Sequence, residues 1–206
     1  MKMKLFFSAD SPYSRKARVA IEELKLGEEV EEIAVDPFAP SPEFLTLNPL
    51  AKVPTLVTER GDTLPDSAAI LEYLAHRKPG LAALPRGARR WEILRRHHFA
   101  EGVLDAATAI AVEKRRPESI QYMPWLDRKI ASVQRTLDVL SSEAGQLALQ
   151  TPGACEIACG VALAYLDFRL PYVEWRRNRE PLAHWFTVFS QRPSMAKTGF
   201  AEPPGK

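Results

Sequence analysis

Cysteine is scarce in this 206-residue chain, which has only Cys155 and Cys159. Two thiols make no disulfide framework, and a spacing of four within a helical pattern works against disulfide geometry. No His or further Cys stands at ligand spacing from them, so no metal site is expected. Long apolar runs are also lacking. The N-terminal run is only Leu5, Phe6 and Phe7, against the roughly 7–15 apolar residues of a secretory core. Nothing approaches the ~18–20 residues of a membrane span. These absences point to a reducing cytoplasm and no membrane. A large excess of one charge is absent too: the net charge is +2 and the pI about 8.5, so the molecule as a whole is no strongly basic nucleic-acid binder. There is no internal repeat and no low-complexity tract.

What is present is an ordinary globular mix, 46% hydrophobic and 26% charged, long enough for one large or two small domains. Its charge is uneven. Residues 1–80 carry −3 and residues 81–206 carry +5, which hints at two units. Residues 2–7 read as a strand bounded by Ser8-Ala9-Asp10-Ser11-Pro12. Pro12 opens a helix, whose apolar stripe includes Ala17, Ala20, Ile21 and Leu24, with Gly27 as the expected C-cap. Val30–Val35 reads as a second strand, and 43–47 as one or two helical turns stopped by Asn48-Pro49. Pro54 stands at the mouth of the strand Thr55-Leu56-Val57, a place that suits a residue unable to donate to a ladder. A turn at 59–62 leads to a short strand around Thr63-Leu64. Asp66-Ser67 then opens a helix with Ile70, Leu71 and Leu74 inside.

Residues 1–78 thus form an α/β unit, 79–88 a linker, and 89–206 an all-helical domain. Helices are expected near 89–114, 120–143, 154–177 and 180–191, with Pro171 kinking or ending the third. The basic run from Arg89 to Phe99 is expected to be a solvated face with Trp91, Leu94 and Phe99 packed inward. Gly153-Ala154-Cys155-Glu156 opens the third helix, with Cys155, Cys159, Ile157, Val161, Leu163 and Leu166 in the core.

Four separate motifs carry a resemblance. Asp10-Ser11-Pro12-Tyr13-Ser14-Arg15-Lys16, Asn48-Pro49-Leu50-Ala51-Lys52-Val53-Pro54-Thr55-Leu56, Asp66-Ser67 and Arg192-Pro193-Ser194 occur in the order and at the spacing of cytosolic glutathione transferases. The chain resembles most the bacterial serine-type subgroup with SPxxRK at the first helix, and not the cysteine-bearing beta or omega classes. The resemblance implies a thioredoxin-like N-terminal domain followed by the family's helical domain, glutathione as co-substrate, a homodimer, and a detoxifying transfer of glutathione to a small hydrophobic electrophile or a peroxide.

The chemistry implied is stabilisation of a thiolate, because a free thiol has a pKa near ~8.5. A hydroxyl donor at a helix N-terminus lowers that value. By resemblance Ser11 is that donor, with Tyr13 and Ser14 as rivals, and an ordinary N-cap as its other reading. Val53, before a cis Pro54, would offer its N–H and C=O to the tripeptide in the manner of an added strand. Asp66 would face the γ-glutamyl ammonium, and Ser67 its carboxylate. Lys52 is a partner for a glutathione carboxylate or else a solvated lysine. Tyr13, Glu101 and Asp105 are candidates for the electrophile pocket. The alternative is a non-catalytic binding or regulatory protein on the same scaffold. A thiol–disulfide or dehydroascorbate reductase would need a cysteine at the first turn, where this chain has none.

Overall fold

The computed structural model describes residues 1–81 and 87–202. The chain forms two compact units, Met1–Ala83 joined by Pro193–Lys206, and Leu84–Arg192. The core of the expected linker, residues 82–86, lies outside the described residues, as does the end of the tail, 203–206.

The first unit is thioredoxin-like. Strand β1 (Met3–Phe7) leads through helix α1 (Pro12–Glu23) to the parallel strand β2 (Val30–Ala34). Helix α2 (Pro42–Leu47) precedes β3 (Thr55–Val57) and β4 (Thr63–Pro65), and α3 (Ser67–Arg77) follows. The sheet order is β2-β1-β3-β4, antiparallel from β1 onward. Met3, Leu5, Leu56, Ala17, Ala20, Ile21, Ile70, Leu71 and Leu74 form its buried core. Each large aliphatic side chain so buried contributes about 1.5–3 kcal/mol against exposure. Helix α1 ends earlier than the sequence suggests. Its left-handed residue is Lys25, at φ 54, with Leu26 N–H bonded to Ile21 C=O at 2.9 Å. Gly27 instead begins a 3₁₀ turn.

The second unit is helical: α4 (Arg90–Glu113), α5 (Met123–Ser142), α6 (Ala154–Arg169) and α7 (Glu180–Phe189). Helix α6 is its centre. Its side chains from Ala154 through Leu163, both cysteines among them, are buried. Pro171 ends the helical pattern and starts a 3₁₀ turn. Gly153 has no side chain to cap with, so Glu156 supplies the cap: its carboxylate accepts Gly153 N–H at 2.8 Å and Ala148 N–H at 3.2 Å.

Two expectations about this half are corrected. Trp91 is 72% exposed, whereas Arg96 and His97 are buried. Arg96 can be inside because its guanidinium donates to Gln146 Oε1 at 2.6 Å and reaches Glu143 at 3.4 Å. The second departure concerns the end of the chain. A short helix α8 (Pro193–Lys197) belongs to the first unit and lies on α1, although the sequence reading runs the helical half through residue 206.

Gly160 lets α7 approach α6. A Cβ there would stand 2.3 Å from Phe189 Cε1 and 2.5 Å from its Cδ1, and that ring is fully buried and stacked on Trp185. Gly160→Ala is therefore expected to destabilise the second unit by about 1–3 kcal/mol. Denaturant unfolding checks this, and an unchanged midpoint would contradict the packing described.

Candidate functional site

Strand register gathers the candidate residues of the first unit. Phe6 of β1 pairs with Thr55 of β3, and Thr55 pairs with Pro65 of β4. The end of β1, the start of β3 and the end of β4 therefore share one edge of the sheet. Three segments leave from it: the Ser8–Ser11 turn into α1, the loop ending in Val53-Pro54, and Asp66-Ser67 at the start of α3.

The first turn is closed by its own hydrogen bonds. Ser11 N–H donates to Ser8 C=O at 3.1 Å, and Ser8 Oγ donates to Asp10 Oδ1 at 2.6 Å. Ser11 is the N-cap of α1, with Pro12 in its first turn, and Ser11 Oγ accepts Ser14 N–H at 3.2 Å. A serine oxygen that accepts a backbone N–H still has its own O–H to donate. The two rivals differ from it in placement. Ser14 is fully buried and its Oγ accepts Ser8 N–H at 3.3 Å, so it serves the turn from inside. Tyr13 is half-buried, with the Lys16 ammonium 5.6 Å from its ring centre.

The second segment is held by Asn48 and Thr55. Asn48 is buried. Its Nδ2 donates to Lys52 C=O at 3.0 Å and to Thr55 Oγ1 at 2.8 Å, and its Oδ1 accepts Leu50 N–H at 3.0 Å. Thr55 Oγ1 also donates to Lys52 C=O at 2.9 Å. These bonds fix the backbone around Val53, whose peptide bond to Pro54 is cis. Neither backbone group of Val53 has a hydrogen-bond partner among the described residues. Lys52 is exposed. Ala51 stands at φ 53, a left-handed conformation that costs a residue with a Cβ roughly 1–2 kcal/mol. An asparagine followed seven residues later by threonine was the available signal for this clamp.

The third segment is also strained. Asp66 has φ 76 and ψ 132, and caps α3 by accepting Ala68 N–H at 2.7 Å. Such conformations cost about 1–3 kcal/mol and cluster at ligand sites. Ser67, the first residue of α3, is buried, and no hydrogen bond from its hydroxyl occurs among the described residues. An alcohol and a helix N-terminus together suit a carboxylate.

Glu101 and Asp105 lie apart from these residues in the chain, on α4 of the second unit. There Glu101 Oε1 is 3.7 Å from His97 Nε2, and Asp105 is exposed. Among the described residues no group of three or more His, Cys, Asp or Glu side chains could hold a metal, and no helix is long and apolar enough to cross a membrane.

A thioredoxin-like sheet with these three loops leaving one edge, followed by a bundle of helices, is the glutathione-transferase architecture, and the comparisons agree. The family model "Glutathione S-transferase, N-terminal domain" matches residues 10–77. The GST-like protein YibF of Escherichia coli K12 is 34% identical over 98% of this chain and 99% of its own. A glutathione transferase family member from Pseudomonas fluorescens Pf-5, solved with bound glutathione, is 35% identical with a TM-score of 0.91, over 98% of this chain and 100% of that one. The same bacterium's structure with bound S-(propanoic acid)-glutathione is 34% identical with a TM-score of 0.87, over 98% and 99%. The chain belongs to the glutathione S-transferase family.

Both cysteines of the chain are free and buried. Burial pushes the Cys155 thiol up to about 12, with Glu156 adding to the effect, and burial raises Cys159 well above the ordinary thiol range. Neither thiol is expected to react with a disulfide reagent at pH 8 in the folded protein, and both are expected to react on unfolding. Because the folded thiols ionise later than the unfolded ones, their contribution to stability is intact below pH ~8.5 and falls as pH rises above it. Native-state labelling, followed by unfolding at a series of alkaline pH values, checks both points.

Proposed function

We propose that this chain is a serine-type glutathione transferase of the SPxxRK subgroup. It holds glutathione along the sheet edge and activates the thiol as a thiolate for attack on a small hydrophobic electrophile or a peroxide. Ser11 is the hydroxyl donor. The observation that carries this reading is its geometry: the oxygen is already engaged as an acceptor by Ser14 N–H, which leaves the proton to point away from the helix. The positive end of α1 lies at the same place and favours an anion.

Around this thiol the tripeptide is read as follows. The Val53 N–H and C=O pair with its backbone as a short added strand. Ser67, with its hydroxyl and the N-terminus of α3, takes the γ-glutamyl carboxylate, and Asp66 lies toward the adjacent ammonium. Lys52 extends from the same loop toward the remaining carboxylate. Tyr13, beside Ser11, borders the electrophile. Glutathione bound in one Pseudomonas structure, and S-(propanoic acid)-glutathione bound in the other, support the choice of ligand. The working form is read as a cytoplasmic homodimer.

Ser11→Ala is expected to lower turnover at least tenfold at saturating glutathione while the protein is still retained on a glutathione matrix. The same substitution removes an N-cap, so a stability loss of about 1 kcal/mol accompanies it. Equal turnover in the variant would remove Ser11 from its role. Ser67→Ala is expected to act differently, raising the glutathione KM about tenfold through loss of a hydrogen bond to a charged group. A KM equal to that of the parent would place the carboxylate elsewhere. Tight glutathione binding without turnover across a panel of electrophiles would favour a binding or regulatory role instead.

A further inference from the structure

The end of the chain lies along α1 as a strap. Near the C-terminal end of the helix, Ser194 Oγ donates to Glu23 Oε1, and Lys197 Nζ pairs with Glu22 Oε2 at 2.8 Å. One turn in from Ser11, the Arg15 guanidinium donates to Met195 C=O at 3.0 Å and lies 4.4 Å from the centre of the Phe200 ring. At the far end, Ala201 N–H donates to Ala9 C=O at 3.3 Å, within the Ser8–Ser11 turn itself. The segment therefore runs antiparallel to α1 over its whole length and ends on the turn that presents Ser11.

Stability alone accounts poorly for the middle contact. Arg15 is 7% exposed, and its Nε–H is buried without a hydrogen-bond partner among the described residues. A buried donor left unmade costs about 1–3 kcal/mol, and a guanidinium is a costly group to desolvate. Burial next to Arg18 draws its pKa down to about 10, which leaves it a cation at neutral pH. A planar, forked cation that must both stack and donate has a narrow choice of positions, which suits a group that fixes geometry.

We propose that residues 193–201 are a positioning strap for the thiol site, and that Arg15, Phe200 and the Ala201–Ala9 bond hold the first turn so that the Ser11 hydroxyl is aimed at the bound sulfur. Arg15 touches no substrate in this scheme and acts through the turn. The proposal rests on the assignment of Ser11 above.

Removing Phe200–Lys206 tests it, because this deletes the stacked ring and the bond to Ala9 but leaves the Ser194 and Lys197 anchors. The expected result is a kcat about tenfold lower with a glutathione KM within about twofold of the full chain. The bound thiol, followed by its thiolate ultraviolet absorbance, is expected to titrate at higher pH, since a less well aimed donor stabilises the anion less. Phe200→Ala, a milder change, is expected to move both readings in the same direction. If kcat and the thiol titration match those of the full chain in both variants, or if only KM changes, the proposal is overturned. Should the full chain bind no glutathione, the Ser11 assignment fails by itself, and the strap is then judged on amide exchange in the free protein. Faster exchange at Ser11 and Ser14 in the shortened chain supports it, and unchanged exchange overturns it.

Discussion

A hydroxyl group can accept one hydrogen bond and donate another at once, and the reading of this protein depends on Ser11 doing both. Its oxygen closes the first turn of α1 by accepting Ser14 N–H. Every neighbouring feature constrains that turn. Strand β1 delivers the chain to it, Pro12 commits the next residue to the helix, and Ser14 bonds back to Ser8 from inside. A rigid turn matters because thiolate stabilisation depends on a donor held in place before the anion forms. The sheet contributes by register: pairing Phe6 with Thr55 and Thr55 with Pro65 sets the other two loops at the same edge.

Two of the positive-φ positions fit this picture. Ala51 and Asp66 both have positive φ, and they stand shortly before Val53 and Ser67. The fold tolerates the strain because surrounding bonds over-determine each loop. Asn48 and Thr55 clamp one, and the Asp66 cap on Ala68 N–H fixes the other. The helical unit is organised on a different principle. Its buried charges are partnered: Arg96 meets Gln146 and Glu143, Arg179 meets Asp138, and Glu156 caps α6. The middle of α6 is left to small and apolar side chains, with Gly160 making room for Phe189.

Much of the first unit was legible in the sequence because its signals are local. A proline after a capping serine, a proline before a β-branched strand and an Asp-Ser pair before an apolar stripe each mark a boundary without reference to the rest of the chain. The helices of the second half were legible by period, and Pro171 gave an end to α6. Features that depend on distant partners were not legible. Arg96 reads as one more cation in a basic run, yet Gln146, fifty residues away, lets it sit inside while Trp91 turns outward. Arg15 likewise looks like a surface charge until Met195 and Phe200 are placed beside it. Nothing local distinguishes Ser11, Tyr13 and Ser14 as donors. The burial of Ser14 is a tertiary fact. The end of α1 was misplaced because glycine is the usual left-handed cap, and here Lys25 takes that conformation.

The most direct measurement of the central claim is a crystal structure with glutathione bound. The account predicts the sulfur within about 3 Å of Ser11 Oγ, with the tripeptide backbone beside Val53 and its γ-glutamyl end at Ser67. A sulfur facing the Tyr13 hydroxyl instead, or a tripeptide bound away from this sheet edge, would contradict it.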